Sequence, residues 1–136
     1  MREIYLTLFF KLIIFTMVRI VTINVIHEYI AANPSSGVAL SSFVAILKQA
    51  NWTKPQDIVD TFGSKAVDIL GKKSDRQASP ERAVIDVKGN HIRVIIKYQF
   101  HEKLKVPVAY IVWIGTHSEY DKINKKRQQF DINLFK

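Results

Sequence analysis

The spacing of the apolar residues changes at Gly63, and this change limits the possible folds more than any other feature of the chain. Before Gly63 the apolar residues recur every three or four positions, which is the period of an amphipathic helix. After Gly63 they alternate with polar residues, which is the period of a strand with one buried face. Helices followed by a run of strands predict an α+β fold.

Three helices are predicted before Gly63. The first covers residues 23–32 and ends at residues 33–37, Asn-Pro-Ser-Ser-Gly. The second begins near Ser35 or Ser36 and has a single apolar stripe, formed by Leu40, Phe43, Val44 and Leu47. A short third helix is indicated by residues 53–56, Thr-Lys-Pro-Gln, which match the Ser/Thr-x-x-Gln capping pattern and place a proline in the first turn.

Three or four strands are predicted after Gly63. A short alternating segment at residues 67–69 is followed by a polar, basic loop at residues 71–80. Residues 82–87 and 91–100 form a hairpin around the turn Lys-Gly-Asn, with Arg93 and Lys97 on one face of the second strand. After a longer turn, the nearly unbroken apolar run 108–114 predicts a central strand.

The size and charge of the chain bound its function. Its 136 residues, 48% of them hydrophobic, fit one domain with a single core. The net charge of +8 favours a polyanionic partner, which leaves nucleic acid, an anionic membrane and an acidic protein open. The chain contains no cysteine, so disulfides and thiolate metal sites are excluded, and the four scattered histidines have no metal-ligand spacing.

The first sixteen residues are an apolar extension, MREIYLTLFFKLIIFT. The apolar run is broken by Lys11 and is too short to span a bilayer, and no small-residue cleavage site of a secretory signal follows it. Met17 precedes the strand-like residues 18–21, so we expect translation to start at Met17 and residues 17–136 to form the domain. A membrane-associated protein that uses this extension is the competing interpretation.

One group of polar residues could carry chemistry. His117, Tyr120 and Lys122 follow the predicted central strand, and Arg93 and Lys97 lie on a neighbouring strand. Together they offer proton-transfer groups and cations, which cleavage of an RNA phosphodiester requires. Histidine could serve as acid or base, whereas tyrosine could be the base only if nearby cations lower its pKa. A packed turn and a solvated strand face are the plainer alternatives.

Three blocks of sequence resemble the HigB family of toxins. They are Ala50-Asn51-Trp52 with Asp57-Ile58 and Phe62, residues 82–95 with Gly89-Asn90 and Arg93, and Gly115-Thr116-His117-Ser118-Glu119-Tyr120-Asp121-Lys122-Ile123. The resemblance covers roughly residues 18–124. It implies a RelE-like fold, with a curved, mainly antiparallel sheet of about four strands and two to three helices packed on one face.

The resemblance also implies an activity and partners. The family cleaves translated mRNA on the ribosome without a metal or other cofactor, and a HigA antitoxin with a helix-turn-helix domain neutralises it. Carried onto this chain, it makes Arg93, His117, Tyr120 and Lys122 catalytic. The cations expected to contact RNA are Arg82, Lys88, Lys97, Lys125 and Lys126. We therefore expect a cytoplasmic mRNA interferase, and a non-catalytic RNA- or ribosome-binding module is the alternative.

Overall fold

The computed structural model describes residues 17–71, 81–87, 91–100 and 107–135. The strands are β1 (Arg19–Val21), β2 (Val67–Leu70), β3 (Glu81–Val87), β4 (Ile92–Phe100) and β5 (Pro107–Thr116). The helices are α1 (Ile23–Ala32), α2 (Gly37–Gln49), α3 (Pro55–Phe62) and α4 (His117–Lys125), and short 3-10 turns occupy Pro34–Ser36 and Gln128–Phe130. The predicted N-terminal extension, most of the loop at 71–80, the hairpin turn at 88–90 and most of the turn at 101–107 lie outside the described residues.

The five strands form one sheet in the order β1-β5-β4-β3-β2. β2, β3, β4 and β5 pair antiparallel, whereas β1 pairs parallel with β5. The α+β class and the mainly antiparallel sheet are confirmed. The predicted count of about four strands is one too low. Residues 18–21 look strand-like in the sequence, but the three residues of β1 are too few to be counted as a strand from alternation. The apolar run 108–114 lies in β5, an interior strand between β1 and β4.

The first three helices pack on one face of the sheet. Their buried residues form one cluster with the strand residues that point the same way, including Ile92, Val94, Ile96 and Tyr98 of β4. The alternation predicted for β4 is therefore confirmed. Trp52 and Ile58 are buried in the same cluster and fix α3 against the sheet.

The cap of α3 differs in detail from the predicted pattern. Gln56 does not cap the helix, because its amide donates to Asp60 at 3.0 Å. The carboxylate of Asp57 instead accepts from the backbone N–H groups of Thr53 and Lys54 at 2.8 and 3.2 Å. These bonds lower the pKa of Asp57, since they stabilise its charged form. Proline at the first helical position is confirmed.

The opposite face of the sheet is covered by α4 and the C-terminal segment. A second cluster joins Val84, Ile95, Val112 and Trp113 of the strands to Tyr120 of α4. The two to three helices expected on one face are present as α1, α2 and α3, and α4 is an additional helix on the opposite face. α4 had not been predicted, although residues 116–119, Thr-His-Ser-Glu, carry the same type of capping signal as α3.

Candidate active site

A β-bulge in β5 shapes the second face of the sheet. Ile95 pairs with Trp113 and Ile96 pairs with Ile111, so Val112 is the extra residue. Val112 and Trp113 consequently both pack in the second cluster. Gly115 lies against the Trp113 ring, where an added Cβ would come within 2.5 Å of two ring carbons. The close approach of this ring therefore requires glycine.

A capping box fixes the start of α4 directly after β5. The Thr116 hydroxyl accepts from the Glu119 N–H at 3.2 Å, and the Glu119 carboxylate accepts from the Thr116 N–H at 2.9 Å. His117 is the first residue of the helix, and its N–H donates to the His91 carbonyl at 3.1 Å. Tyr120 follows one turn later and meets the Trp113 ring edge-on at 6.0 Å between centroids.

His117 is paired with Asp86 of β3. Its Nε2 lies 2.7 Å from the Asp86 Oδ1, and the two side chains are 35% and 41% exposed, respectively. Asp86 is also the register partner of Arg93 on β4. Asp86 therefore contacts the predicted histidine and is the backbone pairing partner of the predicted arginine.

Arg93 contacts Tyr120. The guanidinium carbon lies 4.8 Å from the centroid of the Tyr120 ring, within the range of a cation–π interaction. Tyr120 is only 5% exposed, and burial raises its pKa, with a further increase from Asp68 and an opposing decrease from Arg93. The condition under which Tyr120 could act as a base, a pKa lowered by cations, is therefore not met. Tyr120 keeps its proton at neutral pH.

Asp86, Arg93 and Tyr120 line a cleft of about 510 Å³ on the second face, between β2 and α4. Arg93 and Lys65 contribute positive charge to its lining, and Asp68 and Asp86 contribute negative charge. Asn124, Gln129 and Phe130 close the side formed by α4 and the segment after it. The cleft therefore combines a cation, a protonated phenol and the carboxylate that binds His117.

A direct comparison with a protein-family model shows the family of this chain. A family model described as HigB_toxin, RelE-like toxic component of a toxin-antitoxin system, matches residues 36–123, which is more than half of the chain. The chain belongs to the HigB toxin family. The predicted resemblance is thereby confirmed, and membership makes this protein the toxin of a toxin–antitoxin system, with an antitoxin as partner. No curated protein matches the chain.

Of the four residues predicted to be catalytic in this HigB toxin, the structure brings three together. Arg93 and Tyr120 line the cleft, and His117 is bound to the cleft residue Asp86. Lys122 is exposed on α4 and is not among the described residues that line the cleft. It is two residues after Tyr120, which on a helix places it on a different face from the buried phenol.

The cations predicted to contact RNA lie in different parts of the fold. Lys97 is half-buried on β4, four residues or about 13 Å along the strand from Arg93. Lys125 and Lys126 are exposed at the C-terminal end of α4. Lys88 lies outside the described residues.

Arg82 is buried rather than presented to solvent. It is 8% exposed, and its guanidinium donates to the carbonyls of Gln129 and Ile132 at 3.2 and 2.7 Å. Burial lowers its pKa, and Asp131 opposes that shift. Arg82 thus holds the C-terminal segment of the HigB toxin over the sheet, and its buried guanidinium is not presented for contact with RNA.

The sequence interpretation missed Asp86 as a site residue. The predicted three-residue turn at 88–90 would have placed Asp86 opposite Ile92, whereas the observed register pairs Val87 with Ile92 and Asp86 with Arg93. The bond of Asp86 to His117 depends on α4 beginning immediately after β5.

Within the described ranges, no group of three or more histidine or carboxylate side chains is arranged to hold a metal ion. The helices in those ranges are all too short or too polar to cross a membrane.

Proposed function

We propose that this HigB-family toxin is a ribosome-dependent endoribonuclease that cleaves translated mRNA with side chains as its acid, base and cation. The observation that carries the proposal is that Arg93, Tyr120 and Asp86 line one cleft and that His117 is bound to Asp86. Family membership supports a toxin, and this cleft supports the chemical step by which it acts.

The proposed reaction is a transesterification at a phosphodiester of the message. His117 takes the proton of the 2′-OH, the 2′-oxygen bonds to phosphorus, and the bond to the 5′-oxygen breaks. The Tyr120 hydroxyl protonates the departing 5′-oxygen, a role that suits a phenol whose raised pKa keeps it protonated. Arg93 balances the charge that develops on the phosphoryl oxygens. The products are a 2′,3′-cyclic phosphate, which hydrolyses to a 3′-phosphate, and a 5′-hydroxyl.

Binding of the ribosome-held message is assigned to exposed cations outside the cleft. Lys122 and Lys125 lie on α4 and Lys126 follows its last residue, and their charges can neutralise backbone phosphates. We also propose that the antitoxin is a HigA-type protein with a helix-turn-helix domain. A small neighbouring reading frame that encodes such a protein, and whose expression suppresses toxicity, is the result expected.

Induced expression in a bacterial host tests the activity. We expect growth arrest, with primer extension showing cuts inside translated messages. Arg93→Ala and His117→Ala should abolish both effects. Lys48→Ala removes one positive charge from the exposed end of α2 and should retain both, which makes it the matched control.

The exposed position of Lys122, Lys125 and Lys126 favours a second candidate function, a non-catalytic module that inhibits translation by occupying the ribosome. Intact messages during growth arrest, together with full toxicity of Arg93→Ala and His117→Ala, would favour this second function and overturn the first.

A further inference from the structure

The bond between His117 and Asp86 selects one form of the imidazole. A carboxylate can only accept a hydrogen bond, so the Nε2 that lies 2.7 Å from the Asp86 Oδ1 carries the proton. A neutral ring with its proton on Nε2 has its free electron pair on Nδ1. The pair therefore determines which nitrogen of His117 is available to accept a proton.

A half-exposed pair holds one geometry only if both ends are fixed, because water competes for each group. His117 is fixed by the capping box of α4 and by the bond from its N–H to the His91 carbonyl. Asp86 is fixed within β3, where it pairs with Arg93 and donates its own N–H to the Ala66 carbonyl at 2.7 Å. The side chains thus meet from two rigid elements.

We propose that Asp86 is a positioning residue, which holds the Nε2–H of His117 so that Nδ1 is the atom that receives the 2′-OH proton. This inference rests on the proposed endoribonuclease function. As the proton arrives at Nδ1, the ring becomes an imidazolium with the Asp86 carboxylate 2.7 Å from its other nitrogen. Asp86 thereby both selects the reactive nitrogen and stabilises the charge that forms on it.

Asp86 has a second neighbour, and the test must separate the two. Because Arg93 is its register partner, Asp86 could act by orienting the guanidinium instead of the imidazole. A role through His117 predicts that the effect of Asp86→Asn disappears when His117 is already alanine. A role through Arg93 predicts that the effect persists in that background.

The kinetic experiment measures cleavage of a message by purified toxin on ribosomes. Asp86→Asn should lower kcat by about 10²-fold or more, the scale of one general-base contribution, with KM within about threefold of the wild type. Asp86→Glu, which keeps the carboxylate, should recover part of the loss. Asp86→Asn combined with His117→Ala should be no slower than His117→Ala alone. Asp60→Asn makes the same chemical change on exposed α3 and should leave kcat unchanged.

A second measurement does not depend on cleavage. The ¹⁵N chemical shifts of the neutral His117 ring should show a protonated Nε2 and an unprotonated Nδ1 in the wild type. In Asp86→Asn the amide can donate or accept, so a mixture of the two ring forms is expected. This readout keeps failure of the pairing separate from failure of the proposed function.

Each contrary outcome overturns the inference. Equal ring populations in the wild type and Asp86→Asn would show that the carboxylate does not select the nitrogen. An unchanged kcat per folded molecule, with only the free energy of unfolding lowered, would reduce Asp86 to a structural residue. An equal loss of kcat on Asp86→Asn in the wild type and in His117→Ala would show that Asp86 acts through Arg93.

Discussion

Replacement of Gly115 by alanine tests whether the bulged strand β5 builds the site. The added Cβ would lie 2.5 Å from two carbons of the Trp113 ring, whereas carbon atoms in favourable contact are about 3.5–4.0 Å apart. The ring would have to move by about 1 Å or more. Trp113 is 4% exposed and packs against Tyr120, so such a movement disturbs the second cluster.

The expected cost follows from two opposing effects. Overfilling a packed core costs about 1–3 kcal/mol, and alanine in a strand regains about 0.5–1 kcal/mol of backbone entropy relative to glycine. Gly115→Ala should therefore lower the free energy of unfolding by up to about 2.5 kcal/mol. Cleavage per folded molecule should also fall, because Tyr120 contacts both the displaced ring and Arg93.

Urea denaturation measures the change in stability, with an unchanged m-value as the check that unfolding remains two-state. Gly71→Ala is the matched control, since an added Cβ there meets no atom within 4 Å. If Gly115→Ala were as stable as Gly71→Ala and fully active, the inferred packing of Trp113 over Gly115 would be refuted.

Three further predictions concern charged residues. Arg82→Met should lower the free energy of unfolding by about 2–4 kcal/mol in urea denaturation, because two main-chain carbonyls lose a charged donor. An unchanged midpoint would show that Arg82 does not stabilise the C-terminal segment. Replacing Lys122, Lys125 and Lys126 together by alanine should reduce the slope of log affinity against log salt for single-stranded RNA by about 2. A slope equal to the wild type's would remove them from the RNA-binding surface. The lowered pKa of Asp57 contributes stability above its unfolded-state pKa near 3.8, and this contribution is lost as pH falls through the lower folded-state value. Asp57→Asn should accordingly flatten the dependence of stability on pH in this acidic range, and an unaltered dependence would contradict the assignment.

Local patterns were sufficient to predict the elements with clear periodicity. The helices before Gly63 and the alternation in β4 follow from the side on which each residue must be buried. Residues 18–21 were recognised as strand-like, but β1 was not counted in the sheet because three residues cannot display a period. β1 is held in place by pairing with β5. α4 was missed because the segment after β5 was treated as a loop, despite the capping box formed by Thr116 and Glu119.

The candidate site was predictable in its residue types and less so in its contacts. Arg93 could be assigned to a strand face from alternation, and His117 and Tyr120 could be placed near it because they follow a neighbouring strand. The burial of Arg82 could not be inferred, because it depends on a C-terminal segment with no regular pattern. The partner of His117 likewise depends on a register between β3 and β4 that differs by one residue from the register implied by the predicted turn at 88–90.

The most direct test of the central claim is a reconstituted translation reaction with purified toxin and a defined message, in which the ends of the RNA fragments are identified chemically. We expect cuts only in messages held on ribosomes, with 2′,3′-cyclic or 3′-phosphate and 5′-hydroxyl ends, and no cuts with His117→Ala. Messages that stay intact while the toxin binds the ribosome, or wild-type cleavage rates with both His117→Ala and Arg93→Ala, would contradict it.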